Sequence, residues 1–370
     1  MGLTVREGRR EVSVARVIAR LEPGGAQLGA LRLSLALRAL GIRSVVFAGE
    51  ATLHGARLFR AAGIELEVWG RASHLQYECS DAFANWLRPR MAGSQLVHGH
   101  MFGAWWAASE AAPHGVPVVA SEHNAVRWPG EPRREEMRRA LPRVDAFFAH
   151  GPASGTEALA LGLPRTRLIE GRSAIEPPAR EARPGLPSPK IVYVGRLHPE
   201  KGPDLLLEAL ALLPDPPATV ILGTGQLARP LRARAVTLGI DRIVTFAGWR
   251  APVGPWLRGA AACVVPSRCE AWSQTAVTAM ANRVPVIGAA VEGLPDTLED
   301  RRGVLVPPDD PAALAAAIQD ALAGRLAVDL AGARRYAECF TAKRVADHYA
   351  RVYARLLPQL ELRCSEAKAA

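Results

Sequence analysis

The sequence predicts an α/β protein built from two parallel-sheet domains, and three observations lead to this prediction. Short apolar strand patterns alternate with amphipathic helix patterns along the whole chain, as in repeated βαβ units. A proline-rich segment interrupts the alternation near the middle. Polar residues and glycines of both halves gather where apolar strands end, which is where ligands bind in doubly wound sheets.

The first half is predicted as one domain over residues 1–172. Its strand patterns are "VSVARVIA", "SVVFAG", "IELEVWG", "QLVHGH", "VPVVASEH", "DAFFAH" and "RLIEG". The segment "AQLGALRLSLALRALG" has apolar residues at helical spacing and ends at Gly41, a residue suited to the turn after a helix.

The second half is predicted as another domain over residues 190–340, with strands "KIVYVG", "ATVILG", "IVTFAG", "ACVVPS", "VPVIGA" and "GVLVP". Residues 173–189 are rich in proline, which disfavours helix and sheet, and are predicted to link the domains. Residues 341–370 are predicted to form a long amphipathic helix that packs back on the first domain, followed by a frayed tail.

Composition excludes several classes of protein. The 370 residues are 49% hydrophobic, which favours large buried cores over disorder. No apolar run is long enough for a membrane span, so we expect a cytoplasmic protein with at most peripheral membrane contact. The five scattered cysteines include no CxxC pair and predict neither disulfides nor zinc. The net charge of +10 comes from dispersed arginines, which favours anionic small molecules over nucleic acid.

Two strand ends of the second half carry the residues of a predicted phosphate site. In "YVGRLHPEKG" a strand ends at Gly195 and a loop with Arg196 and Lys201 leads into a helix, whose free N–H groups attract anions. Gly223 and Gly225 follow the next strand, although such a pair is common in loops. The alternative for the charged loop is an ordinary solvated surface.

Glu270 is a further candidate site residue, because it lies between the predicted buried strand "AACVV" and a predicted helix. A carboxylate at the mouth of a sheet can accept hydrogen bonds from sugar hydroxyls. No pair of carboxylates with the spacing of a metal site accompanies it, so no metal is expected.

Polar strand ends also occur in the first half. Gly24 and Gly25 occupy the first strand–helix turn, where they permit close approach of a ligand or form a simple tight turn. The next polar strand ends carry His100, Glu122, His123 and Asn124. One such end is commonly structural, but two neighbouring ends favour a site. Trp128 is a further candidate for contact with the acceptor, whereas Trp105 and Trp106 also fit a buried helix.

Together these motifs resemble glycosyltransferase family 4, a family of retaining enzymes with the GT-B fold. The resemblance rests on "YVGRLHPEKG", "FAGW", "PSRCEAWSQTAVTAMANRVPVIG", "VEGLPD" and "GVLVPPDDPAALAAAI", and more loosely on "EPGG", "LVHGH", "ASEH" and "SAIEP". It implies two Rossmann-like parallel-sheet domains facing each other across a cleft.

The resemblance also implies roles for particular residues. Arg196 and Lys201 match the pair that grips the donor diphosphate, and Glu270 matches the first glutamate of the Glu-x7-Glu motif, which binds the donor sugar. His100 matches the histidine near the reacting sugar. The other residues expected to bind the donor are Gly24, Gly25, Gly195, Gly223, Gly225, Gly248, Trp249, Trp272, Ser273, Gln274, Thr275 and Thr278.

The chain departs from the family pattern at two points. Thr278 stands where the second motif glutamate is expected, and Ala271, Trp272 and Ser273 replace the usual Gly-Phe-Gly. The second glutamate usually holds the ribose, so ribose recognition is expected to be altered. Thr275, Thr278 and Asn282 still share one helix face by their spacing.

The resemblance predicts retaining transfer of a hexose or amino-hexose from a nucleoside-diphosphate sugar, expected to be UDP-linked, to a small polar acceptor such as a saccharide or aminocyclitol. No cofactor and no metal are expected. The alternatives are a lipid-linked acceptor in cell-envelope polysaccharide synthesis, a nucleotide-sugar epimerase of the same architecture, and a non-catalytic GT-B partner subunit.

Overall fold

The computed structural model describes residues 3–5, 11–71, 75, 77–123, 131–186 and 190–364. They divide into two compact units. Unit 1 contains residues 1–174 together with 342–370, and unit 2 contains residues 175–341.

Unit 1 contains a parallel sheet of seven described strands in the order β4-β3-β2-β5-β6-β7-β8. These strands are β2 Val12–Leu21, β3 Ile42–Ala51, β4 Glu65–Val68, β5 Leu96–His100, β6 Val118–Glu122, β7 Ala146–Ala149 and β8 Leu168–Glu170. Its helices are α1 Gly25–Arg38, α2 Leu53–Ala61, α3 Asp81–Leu87, α4 Phe102–Ala111, α5 Glu131–Ala140, α6 Pro152–Ala160 and α14 Ala342–Leu356. Single 3₁₀ turns lie at Leu141–Arg143 and Arg165–Arg167.

A second, two-stranded sheet in unit 1 pairs β1, Leu3–Val5, antiparallel with β15, Leu362–Cys364. The prediction of a frayed tail is therefore wrong for these three residues. Their pairing partner lies at the opposite end of the chain, which a local pattern cannot reveal.

Unit 2 contains a parallel sheet of six described strands in the order β11-β10-β9-β12-β13-β14. These strands are β9 Lys190–Val194, β10 Ala218–Leu222, β11 Val244–Gly248, β12 Ala262–Val265, β13 Val286–Ala289 and β14 Val304–Val306. Its helices are α7 Pro203–Ala211, α8 Ala228–Thr237, α9 Gly254–Leu257, α10 Gln274–Ala281, α11 Leu294–Leu298, α12 Pro311–Leu322 and α13 Leu330–Glu338, with a 3₁₀ turn at Pro199–Lys201.

The central strands are continuous apolar runs because helices cover both faces of each sheet. In unit 1, Val17 faces the side covered by α3 and α4, while Ile18 faces α1. In unit 2, Ile191 and Val264 pack in one cluster with Ile318 of α12. Two doubly wound parallel sheets confirm the predicted fold class.

The order of strands reverses once in each sheet, between β2 and β5 in unit 1 and between β9 and β12 in unit 2. Ligands of open α/β sheets bind at the carboxyl ends of the strands beside such a switch point. The loop after β9 carries Arg196 and Lys201, and the loop after β12 carries Glu270. The predicted donor-binding residues of unit 2 thus flank its switch point.

The proline-rich segment begins as an ordered part of unit 2. Glu176 Oε1 accepts a hydrogen bond of 2.6 Å from the backbone N–H of Gly254, and the backbone N–H of Ala179 donates to Asn282 Oδ1 at 2.8 Å. These bonds fasten its first residues to α9 and to the end of α10.

Candidate functional site

Lys201 and Glu270 meet at the switch point of unit 2. Lys201 Nζ donates to Glu270 Oε2 at 3.0 Å and to the carbonyl oxygen of Cys269 at 3.1 Å. The two side chains are only 21% and 14% exposed. Ser267 Oγ donates to the same carboxylate oxygen at 3.1 Å, whereas no described residue donates to Glu270 Oε1. One oxygen of a fixed carboxylate therefore remains available to a ligand.

The backbone of Glu270 is held from the turn after β13. Glu292 Oε2 accepts a hydrogen bond of 2.7 Å from the N–H of Glu270, and the N–H of Gly293 donates to the carbonyl oxygen of Glu270 at 3.1 Å. Glu292 has a φ of 46°, a left-handed conformation that is uncommon outside glycine. The motif "VEGLPD" was noticed in the sequence, but this positioning role of Glu292 was missed.

Arg268 anchors the loop before Glu270. Its guanidinium donates to Asp204 with bonds of 2.7 and 3.0 Å, and Nε donates to Asp309 at 2.6 Å. The hydrogen bond to Asp204 is the largest cause that raises the pKa of Arg268 above its usual value. Bidentate pairs of this kind fix geometry. No local pattern predicts this pairing, because the partners of Arg268 lie about sixty and forty residues away along the chain.

Two glycines let the loops after β9 and β10 lie close to one another. Gly223 has a φ of 143°, and a Cβ there would lie 1.8 Å from the carbonyl oxygen of Gly195. A Cβ at Gly225 would lie 2.4 Å from the carbonyl oxygen of Leu197. In both cases the close neighbour is the chain's own backbone, so these glycines allow the loops that form the site to pack closely.

Arg196 lies further out than Lys201. Its side chain is 47% exposed and pairs with Glu200 at 3.3 Å. Its carbonyl oxygen accepts a 2.9 Å hydrogen bond from the hydroxyl of Tyr193, and burial raises the pKa of that phenol. The two basic residues predicted to bind phosphate thus differ in their surroundings, since Lys201 is fixed beside Glu270 and the side chain of Arg196 lies on the surface.

The polar face of α10 is largely used inside unit 2. Ser273 caps the helix by accepting from the N–H of Ala276 at 3.2 Å. Thr275 donates to the carbonyl oxygen of Val194 at 3.0 Å, and Thr278 donates to that of Gln274 at 2.8 Å. Thr278 is 3% exposed. These hydroxyls join α10 to β9 and to its own first turn.

Three other predicted donor residues have structural contacts as well. Trp272 is half-buried and its ring lies 4.9 Å from that of Phe340. Gly248 has a φ of 74°, and its carbonyl oxygen accepts from the N–H of Gly223 at 2.9 Å. Trp249 is half-buried beside it.

In unit 1 the predicted glycine turn begins α1. Gly24 is the N-cap residue, with an extended backbone (φ −132°), and no side chain caps the helix. Gly25 is the first helical residue and is exposed. The first N–H groups of a helix can bind an anion, and approach of this turn to the donor diphosphate stays a prediction.

His100 is more deeply placed than the sequence suggested. It is 4% exposed, and both ring nitrogens have partners inside unit 1. Arg16 Nη1 lies 2.7 Å from its Nε2, and Nδ1 lies 3.1 Å from Nε2 of His123. His123 is partly exposed at the carboxyl edge of the sheet. The imidazole at this edge that a ligand can reach is therefore that of His123.

Glu122 lies on the opposite face of the sheet. It is fully buried, and its carboxylate accepts a 3.2 Å hydrogen bond from Nε1 of Trp105, which is itself in the core. In this position the side chain belongs to the interior of unit 1, and its predicted contact with the acceptor stays a prediction. Asn124 and Trp128, the remaining predicted acceptor residues, lie outside the described residues.

The histidines of this region are neutral. The pKa values of His98, His100 and His150 lie well below the usual range, chiefly because burial disfavours the imidazolium. The charge of Arg16 lowers the pKa values of His98 and His100 further. Burial, with help from Arg16, also lowers the pKa of His123 to about 3. At neutral pH these rings act as hydrogen-bond partners and carry no charge.

Two further findings concern the described part of the chain. Within it, no group of three or more His, Cys, Asp or Glu residues has the arrangement of a metal site. None of its helices has both the length and the hydropathy required to cross a bilayer.

Comparison with known proteins bears on both units. A family model described as "Glycosyltransferase Family 4" matches residues 23–170, and one described as "Glycosyl transferases group 1" matches residues 188–324. A D-inositol 3-phosphate glycosyltransferase of Streptomyces avermitilis is 36% identical over 72% of this chain and 67% of its own length. The enzyme of the same name from Xylanimonas cellulosilytica is 32% identical over 77% of this chain and 72% of its own.

A solved structure gives the same picture of the fold. The Anabaena protein HepE, crystallised with UDP and glucose, is 17% identical, with a TM-score of 0.77 over 94% of this chain and 100% of its own. The two Rossmann-like units of this chain therefore have the GT-B fold. The chain belongs to the family 4 (group 1) glycosyltransferases.

Proposed function

We propose that the protein is a retaining hexosyltransferase that takes its sugar from a UDP-linked donor. The observation that carries the proposal is the Lys201–Glu270 pair at the switch point of unit 2, with Oε1 of Glu270 open to a ligand. Lys201 binds the diphosphate, and Arg196 moves from Glu200 to the same phosphates. The open carboxylate oxygen accepts a hydrogen bond from a hydroxyl of the sugar.

Charge develops on the diphosphate as the glycosidic bond breaks. A fixed ammonium group in a site that excludes most water stabilises that charge in the transition state. We propose that Lys201 and Arg196 supply this stabilisation without a metal ion. The uridine assignment is supported by structures such as HepE, which was solved with UDP.

Thr278 makes recognition of the ribose unusual in this proposal. A glutamate at this position would offer a charged acceptor, whereas the Thr278 hydroxyl already donates to Gln274. The ribose is then held with fewer charge-assisted bonds, and binding of the donor depends more on its phosphates and sugar.

For the acceptor we propose a small polyhydroxylated molecule, either a saccharide or a cyclitol, that binds unit 1. The names of the relatives, D-inositol 3-phosphate glycosyltransferases, support a cyclitol. His123 lies at the carboxyl edge of the sheet in this unit and is the residue proposed to meet it. We also propose that the enzyme works in the cytoplasm, where nucleotide sugars are made.

The proposal is tested by incubating the protein with UDP-glucose or UDP-N-acetylglucosamine and a panel of cyclitols, cyclitol phosphates and saccharides. UDP release that requires an acceptor, with an α-linked product by NMR, is expected. Glu270→Gln is the matched control and should lower turnover about tenfold or more. Binding of UDP-glucose without UDP release for any acceptor would instead indicate a non-catalytic subunit. A donor altered without an acceptor would indicate an epimerase, and turnover only with lipid-linked saccharides would overturn the small acceptor.

A further inference from the structure

Unit 1 contains a buried arginine that makes no ion pair with any described residue. Arg16, in the middle of β2, is 0% exposed. Its Nε and Nη2 atoms are buried without a hydrogen-bond partner among the described residues. Its Nη1 atom lies 3.2 Å from Nδ1 of His98 and 2.7 Å from Nε2 of His100. A buried cation without an ion-pair partner is costly, so its presence calls for a physical reason.

The hydrogen-bond chemistry of arginine decides which nitrogens of the neighbouring rings carry protons. Arginine can only donate, so the nitrogen of each neutral ring that faces it must be the acceptor. For His98 this leaves the proton on Nε2, which donates to Ser121 Oγ at 2.8 Å. The hydroxyl of Tyr353 lies 2.6 Å from the same Nδ1 atom of His98 and, because that atom carries no proton, donates to it.

The same rule extends to the edge of the sheet through His100. Because Nε2 of His100 accepts from Arg16, its proton is on Nδ1, which donates to Nε2 of His123 at 3.1 Å. His123 must then carry its own proton on Nδ1. No described residue accepts from that atom, and the ring is partly exposed and stacked on His150 with centroids 3.8 Å apart. The chain of bonds therefore ends in an N–H group at the edge of the sheet.

We infer that Arg16 is a positioning residue, which acts through His100 to make His123 present its Nδ1–H as a hydrogen-bond donor to an oxygen of the acceptor substrate. The inference rests on the proposed function for the identity of the substrate. The protonation pattern does not depend on the proposed function, because it is a property of the ligand-free protein.

The pattern can be observed directly. Long-range ¹H–¹⁵N correlation spectra of the ¹⁵N-labelled full chain, assigned with His100→Gln and His123→Asn, should show His100 and His123 as neutral rings protonated at Nδ1. Isolated neutral imidazole has no such enforced choice, because the tautomer is set by the hydrogen bonds around it. In Arg16→Met the signals of both rings should change to mixed or Nε2-protonated forms. Nε2-protonated His100 or His123 in the unaltered protein would overturn the inference.

Stability and turnover should respond to Arg16→Met in opposite ways. The variant removes a buried charge and two unpaired donors, so its melting temperature should equal or exceed that of the unaltered protein. Turnover should fall about tenfold, as expected for a lost or misdirected hydrogen bond to the substrate. Arg43→Met, which removes an exposed arginine of the neighbouring strand, is the control and should change neither quantity. Melting and turnover that fall together in Arg16→Met would make Arg16 a structural residue only.

A second pair of variants tests the donor atom itself. In His123→Asn the amide nitrogen takes the position of Nδ1, whereas in His123→Gln it takes the position of Nε2. Asparagine should therefore retain turnover within about threefold, and glutamine should lose about tenfold. Arg16→Met should cost nothing further when added to His123→Gln. Equal turnover of the Asn and Gln variants, or additive losses in the double variant, would refute the inference. The expected spectra in a protein without transferase activity would instead overturn the proposed function alone.

Discussion

Unit 1 should lose stability steeply when the solution is acidified, because three of its histidines are buried in neutral form. His98, His100 and His150 are 0%, 4% and 2% exposed, and burial lowers the pKa of each in the folded protein. In the unfolded chain a histidine titrates near 6.5. Below that pH the unfolded state binds protons that the folded state does not bind, so the free energy of unfolding falls as the pH falls.

The size of the effect follows from linkage. Between pH 7.5 and pH 5.5, a histidine that titrates near 6.5 only when unfolded lowers the free energy of unfolding by about 1.4 kcal/mol. Three such residues lower it by about 4 kcal/mol, and His123, with a pKa lowered to about 3, lowers it by about a further 1.4 kcal/mol. The sum is a large part of the ~5–15 kcal/mol that stabilises a typical protein. Urea unfolding followed by circular dichroism at several pH values measures this directly.

Two variants separate this explanation from general acid sensitivity. His150→Gln places an amide near the hydroxyl of Tyr349, which lies 3.1 Å from Nε2 of the histidine, and should remove about a quarter of the loss between pH 7.5 and 5.5. His54→Asn changes an exposed histidine of α2 and should retain the full loss. A free energy of unfolding for unit 1 that stays constant between pH 7.5 and 5.5 would refute the reasoning.

Three further predictions concern unit 2. Lys201→Ala should lower turnover about a hundredfold by removing ~3 kcal/mol of charge stabilisation, whereas Arg196→Ala, at an exposed residue, should lower it about tenfold. Steady-state kinetics measure both effects. Near-normal turnover of Lys201→Ala would reject the phosphate site. Turnover should persist in excess EDTA, since the proposed mechanism needs no metal; strict dependence on added Mg²⁺ or Mn²⁺ would show the opposite. Thr278→Glu should bind UDP about tenfold more tightly than the unaltered protein in calorimetry, and Thr278→Gln is the uncharged control of the same shape. Equal affinities of the Glu and Gln variants for UDP would exclude a ribose contact.

The two sheets were predictable because parallel strands buried on both faces are continuous apolar runs of four to ten residues, separated by helix patterns. Strand β5 was found as "QLVHGH" and observed as Leu96–His100. The neighbouring ends of β5 and β6, predicted to form one edge, are paired in the sheet. By contrast, α13 was not predicted, although Leu330–Glu338 is helical and is capped by Asp329. Its short pattern follows another helix without a strand between them.

The site was only partly predictable, because side-chain partners across the fold leave no local pattern. The sequence indicated Lys201 and Glu270 separately, but their contact depends on β9 and β12 being neighbours, which the order along the chain does not reveal. It indicated His100 from its position at a strand end. It could not show that Arg16, some eighty residues earlier in the chain, lies beside that ring and engages it inside the unit.

The most direct test of the central claim is isothermal titration calorimetry of UDP and UDP-glucose with the unaltered protein and with Glu270→Gln. Glu270 is proposed to contact the sugar and not the nucleotide, and glutamine keeps its shape while removing its charge. The variant should bind UDP within about twofold of the unaltered protein and UDP-glucose about tenfold more weakly. Glu208→Gln, at an exposed glutamate of α7, is the control and should bind both as before. Equal weakening of UDP and UDP-glucose by Glu270→Gln would contradict the assignment of Glu270 to the sugar.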